Sequence, residues 1–161
     1  MEYQEVTPEL SIKFKRSPDN PVRVKITSPA QAAKFFRSIF DADQIEWAEE
    51  FCVVYLCRSL TTIGYSKISH GNTSATAVNV KAIILYGIQL NASGIMVCHN
   101  HPSGSTKASD QDNSILIKLC KAARLFDMDV MDSIILTSKE YWSASENGVM
   151  KHIRENLLTK E

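Results

Sequence analysis

His99 and His101 stand one residue apart in "VCHNHPSGSTKASDQD", residues 97–112, and Ser109, Asp110 and Asp112 follow a proline- and glycine-bearing turn. Imidazole nitrogens and carboxylate oxygens are donors that zinc accepts. On an extended chain, residues i and i+2 point to the same side, so the two rings share a face. Pro102 restricts His101 to the β or polyproline region, which preserves that geometry. Asp112 falls in the first turn of a following helix, from which it can swing back toward the strand end, and its charge suits the helix dipole there. Two histidines and one carboxylate leave a tetrahedral ion with one open position, the arrangement of a catalytic zinc site.

The same residues have plainer readings. "SDQD" is close to a capping box, with Ser109 as N-cap and an acid three residues later. Asp110 and Asp112 then do no more than complement the dipole, and the two histidines are a hydrogen-bonded loop pair. His70 and His152 have no visible partner and read as surface or loop residues.

Elements must position these groups. "SGIMVCHNH" is an apolar run that predicts a buried strand, with the histidines at its carboxyl end, where open α/β sheets form ligand crevices. "SDQDNSILIKLCKAARLFD" is the longest predicted helix, with Ile115, Leu119, Ala122, Ala123 and Phe126 as its core face. Upstream, Ser28 and Pro29 open a helix whose apolar set is Ala32, Phe35, Phe36 and Ile39. "IEWAEEF" continues as helix or short linker into the strand "FCVVYLC", and "TIGYSKIS" pairs with it. "VNVKAIILYGIQLN" is a helix with Val80, Ile83, Ile84, Gly87 and Ile88 on one face. "VMDSIILTS" and "EYWSA" are further strands. "LSIKFKR" and "VRVKIT", around "SPDNP", read as a hairpin from Leu10 to Thr27. The pattern predicts one α/β domain over residues 28–150, a mixed central sheet flanked by helices, after a hairpin extension over 1–27 and before a polar tail over 151–161.

Bulk properties narrow the function classes. The chain has 161 residues, 44% hydrophobic and 22% charged, as expected of a globular domain. Lys and Arg together number 18, matched by 18 Asp and Glu, so no basic excess points to nucleic acid. Lys13, Lys15, Arg16, Arg23 and Lys25 read as the solvated face of the hairpin. No apolar run approaches the roughly 18 residues of a bilayer span. The N-terminal stretch does not read as a signal peptide. Cys52, Cys57, Cys98 and Cys120 form no CxxC pair and read as buried reduced thiols. The expectation is a cytoplasmic protein. A deaminase would need H-x-E and P-C-x-x-C, and neither occurs.

The spacing H-x-H-x7-S-x-x-D, filled by His99, His101, Ser109 and Asp112, resembles the JAMM motif of JAB/MPN-domain metalloproteases. "HNHPSG" is more specific and looks like the RadC family, historically called DNA repair proteins. "EEFCVVYLCRSLTTIGYSKIS" and "MDSIILTSKEYWSASENG" are similar to that family's flanking strands, so the resemblance runs from about Ala30 to Gly148. It implies a JAB/MPN, cytidine-deaminase-like fold and a Zn2+-dependent metallohydrolase, a protease or isopeptidase. Peptide or isopeptide bonds are the substrates so implied. His99, His101 and Asp112 would be the metal ligands. The family's upstream glutamate falls on Glu49, with Glu46 and Glu50 as neighbours, and would serve as general base. Ser109 would accept from the helix amide while donating to the developing oxyanion. The historical name also implies a DNA-processing accessory, and a non-catalytic scaffold is a third expectation. Substrate identity and oligomeric state are not encoded in any of these motifs.

Overall fold

A computed structural model describes residues 13–16, 18–19, 21–71 and 78–156. Nine elements follow in order: α1 (Pro29–Arg37), β1 (Glu49–Leu56), β2 (Thr62–Gly71), α2 (Val80–Gln89), β3 (Gly94–Asn100), α3 (Asp110–Arg124), β4 (Asp129–Leu136), β5 (Tyr141–Ser143) and α4 (Val149–Asn156). The strands form one sheet in the order β2-β1-β3-β4-β5. β1 runs antiparallel to both β2 and β3, β3 and β4 are parallel, and β5 returns antiparallel to β4. This is the expected single α/β domain with a mixed sheet.

The central strands are buried on both faces, which explains their unbroken apolar runs. Phe51, Val53 and Tyr55 of β1, with Ile95 and Val97 of β3, pack under α2, α3 and α4. Cys52, Val54 and Leu56, with Met96 and Cys98, pack under α1 and Ile26. That parity decides where the chemistry goes. Carried one residue further, it puts His99 on the α3 side and Asn100 on the α1 side.

Several expectations are corrected. The hairpin over residues 10–27 lies partly outside the described residues. Of those described, residues 21–27 carry one isolated bridge, Lys25 to Thr61. The segment is no appendage: Ile26 is fully buried, and its N–H donates to Leu60 O at 2.9 Å. "IEWAEEF" is a turn over residues 42–48 and then strand. The boundary at 150 cuts α4, whose Met150 and Ile153 are both buried in the core. On α2, Ile88 is exposed. On α3 the buried face is Leu116, Leu119, Cys120 and Ala123, while Phe126 is exposed. The helix stops at Arg124, Asp127 turns with φ 55°, and Met128 takes the core position instead. Cys57 is only half-buried, unlike the other three cysteines. Among the described residues, no helix is long and apolar enough to cross a membrane.

Candidate metal centre

β3 carries His99 as its penultimate residue, and His101 lies just beyond the strand. The chain stays extended there because His101 N–H donates to Leu136 O of β4 at 2.9 Å. It then turns: Gly104 N–H donates to His101 O at 3.0 Å, and Gly104 adopts φ 77°, a conformation glycine takes without strain. The loop ends on Ser109, the N-cap of α3, and the full capping box is present. Asp112 Oδ2 accepts from Ser109 N–H at 2.7 Å and from the Ser109 hydroxyl at 2.6 Å, while Asp112 N–H donates to Ser109 Oγ at 3.1 Å. The capping expectation and the ligand expectation for Asp112 are therefore compatible, because Oδ1, which takes no part in the cap, faces His99.

Three donor atoms converge. His99 Nε2 lies 2.9 Å from His101 Nε2 and 3.2 Å from Asp112 Oδ1, and His101 Nε2 lies 3.7 Å from Asp112 Oδ2. Bonds of about 2.0–2.1 Å to a tetrahedral ion space ligand atoms about 3.3 Å apart, and the contacts of His99 with His101 and with Asp112 Oδ1 are close to that spacing. Among the described residues, this is the one group of His, Cys, Asp and Glu whose ligand atoms draw together in this way.

The surroundings suit the same purpose. His101 Nδ1–H donates to Ser105 O at 2.8 Å, which leaves the Nε2 lone pair facing the centre. His99 is held by Phe51, its partner on β1, with the rings stacked at 6.0 Å and 8°. His99 Nδ1 is buried and has no hydrogen-bond partner among the described residues. The His99 side also holds a cavity of about 10 Å3, the scale of one water, lined by His99 with Phe51, Val97, Leu116 and Ser133.

Charge is balanced toward a cation. The hydrogen bond to Asp112 raises the His101 pKa, against the opposing effect of burial and with help from the Ser105 carbonyl and the charges of Asp112 and Glu49. Burial opposes ionisation of Asp112, yet hydrogen bonds from His101, His99 and Ser109 hold its carboxyl well below the usual range. The three groups together favour a positive charge at their centre, whether a proton or a metal ion.

Glu49 opens β1, half-buried, on the same face as Phe51. Phe51 pairs with His99, the last rung between β1 and β3, and Glu49 lies two residues beyond it, where its charge acts on His101. Glu50 faces the other side and pairs with Lys67 at 2.9 Å, and Glu46 is exposed in the preceding turn. Of the three acids, Glu49 is the one whose charge acts on His101. One expectation is modified: the single Ser109 proton goes to Asp112, so the hydroxyl must rotate before it can donate elsewhere. The sequence gives Ser105 only a turn role and Phe51 only the phase of Glu49, and the roles of both beside the histidines, like that of Asn100, come from the structure. Only Asn100 had a signal, as a polar residue inside a fully buried strand.

A family model described as "RadC-like JAB domain" matches residues 26–149. The chain is similar to a UPF0758 protein of Aquifex aeolicus, 31% identical over 142 residues, covering 88% of this chain and 58% of that protein. A UPF0758 protein of Flavobacterium johnsoniae is 34% identical over 101 residues, covering 63% and 44%. UPF0758 protein YfjY of Escherichia coli is 31% identical over 102 residues, covering 63% and 64%. The chain thus spans about half to two thirds of the length of these relatives.

Proposed function

The chain belongs to the RadC-like JAB domain family, and from that premise we propose that it is a zinc-dependent hydrolase of the JAMM type, cleaving an amide or isopeptide bond. One observation carries the reading: ligand atoms of His99, His101 and Asp112 all lie within 4.8 Å of one another, at the end of β3. Two imidazoles and a carboxylate would hold the ion and leave a position open. Bound there, zinc supplies Lewis acidity to an attacking water and to the scissile carbonyl.

The chain's own residues carry the remaining steps. Glu49 takes the proton that water loses as the C–O bond forms, and returns it to the leaving nitrogen as the C–N bond breaks. Ser109 keeps Asp112 aimed and, after rotating its hydroxyl, donates to the oxyanion. Four free cysteines accord with a reducing compartment such as the cytoplasm. A DNA-processing role has no comparable support, since 18 basic residues are balanced by 18 acidic ones.

Purified protein is assayed on peptide- and isopeptide-linked fluorogenic substrates with zinc and with chelator. Cleavage is expected with zinc alone, and Glu49→Gln is expected to lower kcat by about 10²–10⁴-fold. Cleavage that survives the chelator, or a Glu49→Gln variant as fast as the parent, refutes the mechanism. Zinc content near zero after metal-replete purification removes the site itself.

A further inference from the structure

Asn100, between the two histidines, is completely buried, and its side chain faces away from them toward α1. Every group of its amide is used. Nδ2 donates to Ile45 O at 2.8 Å and to Ala48 O at 2.7 Å, and Oδ1 accepts from Glu50 N–H at 2.7 Å. Those partners are 55, 52 and 50 residues away in the chain, and they bracket Glu49. Meanwhile the backbone pairing of β1 with β3 ends at Phe51 and His99. Beyond that pair, no ladder partner fixes residues 45–50 to β3; the Asn100 side chain does so instead.

From this geometry we infer that Asn100 is a positioning residue that holds the residue 45–50 backbone, and with it the Glu49 carboxylate, over the metal ligands; the inference rests on the hydrolase reading for what Glu49 does. The arrangement has a physical logic. A continued ladder would draw β1 against His101 and leave the space between the strand ends closed. A side-chain clamp on the opposite face fixes the strand end while leaving the reactive face open. His99 and His101 present the ligands from one side of β3, and Asn100 sets the base from the other, so three successive residues align both halves of the site. A buried amide with all its hydrogen bonds made permits little slack, and a misplacement of 1 Å is enough to cost about 10²-fold in rate.

The test is Asn100→Asp, which keeps the shape but removes both donors and turns a carboxylate toward two carbonyl oxygens. Zinc affinity, measured by chelator competition, is expected to stay within about threefold, because the ligands lie on the other face. Amide exchange of Glu50, read in Asn100→Ser because that substitution withdraws the acceptor, should accelerate at least about tenfold, and in Asn100→Asp kcat should fall about 10²-fold with KM nearly unchanged. In the Glu49→Gln background the same substitution should cost almost nothing further, which a merely structural role would not produce. Unchanged exchange at Glu50, kcat within twofold of the parent, or an equal loss in both backgrounds overturns the inference. Should Asn100→Asp fail to fold, Asn100→Ser, which introduces no charge, is read by the same measures. If the parent itself shows no zinc-dependent cleavage, the hydrolase reading fails and the inferred role of Asn100 falls with it, while the exchange experiment still reports separately on the clamp.

Discussion

Replacing Asp112 by Ala separates two roles that one carboxylate plays. Oδ2 accepts two hydrogen bonds from Ser109, while Oδ1 faces His99 at 3.2 Å. Hydrogen bonds to a charged group contribute about 1.5–3 kcal/mol each when buried. The Ser109 groups reach solvent once the carboxylate is gone, so the loss in metal-free protein should be nearer 2 kcal/mol in total. Zinc adds a separate quantity. At a free concentration of 100 Kd it stabilises the parent by about 2.7 kcal/mol, or roughly 8 °C in Tm for a domain of this size. Asp112→Ala should lose that increment almost entirely. Ser109→Ala should keep part of it: a second-layer contact is worth about 10–100-fold in affinity, which leaves about 0.4–1.4 kcal/mol at the same zinc concentration. Thermal melts of the three proteins, with chelator and with zinc, give both numbers. A full zinc increment in Asp112→Ala would show that the ion does not sit in this triangle. A metal-free Asp112→Ala protein as stable as the parent would show that the capping box contributes nothing.

Two further predictions concern groups away from the centre. Asp132 is buried and accepts from Ser143 Oγ at 2.6 Å and from the amides of Ser133 and Ser145 at 2.8 Å each, and burial raises its pKa above 3.8 despite them. A raised acid penalises the folded state once pH exceeds the folded pKa, and not below the unfolded value. Asp132→Asn should therefore gain on the parent as urea melts move from pH 4 to pH 7; a gap that widens against Asn would contradict this. Cys57 has its thiol pKa lowered to about 7 by hydrogen bonds from Ser59 and Thr61, whereas burial pushes Cys52 to about 12 and Cys120 to about 11. Iodoacetamide should label Cys57 alone in the folded protein with a midpoint near pH 7, and a midpoint above about 8.5 would count against it.

The ligand triangle was legible because its information is local. Strand alternation sets His99 and His101 on one face, Pro102 keeps the chain extended, and the capping box at Ser109 fixes where Asp112 begins its helix. Glu49 was readable only through the family resemblance, since neither Glu46 nor Glu50 differs from it in chemistry. The phase of α3 was misread because Leu125 and Phe126 continue the apolar pattern past the point where the helix stops at Arg124. Asn100 was harder still: all three partners of its side chain are at least 50 residues distant, and no periodicity reports a bond of that range.

Register explains why a polar clamp is needed at all. A strand with one apolar face has its pairing set by the hydrophobic pattern, since a slip of one residue would turn that face to water. β1 and β3 lack that safeguard. Residues 51–56 and 94–100 are buried on both sides, so a slip would exchange one core for the other at little apolar cost. The discriminating contacts include the Tyr55 hydroxyl, which donates to Ile83 O at 3.2 Å, and, at the end of the pair, the stacked rings of Phe51 and His99 and the Asn100 amide on Glu50. Slipped by one residue, β1 would place Glu50 beside the histidines and Glu49 against Lys67. Two of the contacts that fix the pairing are thus neighbours of the groups that carry the proposed chemistry, so the register is checked where an error would be most costly.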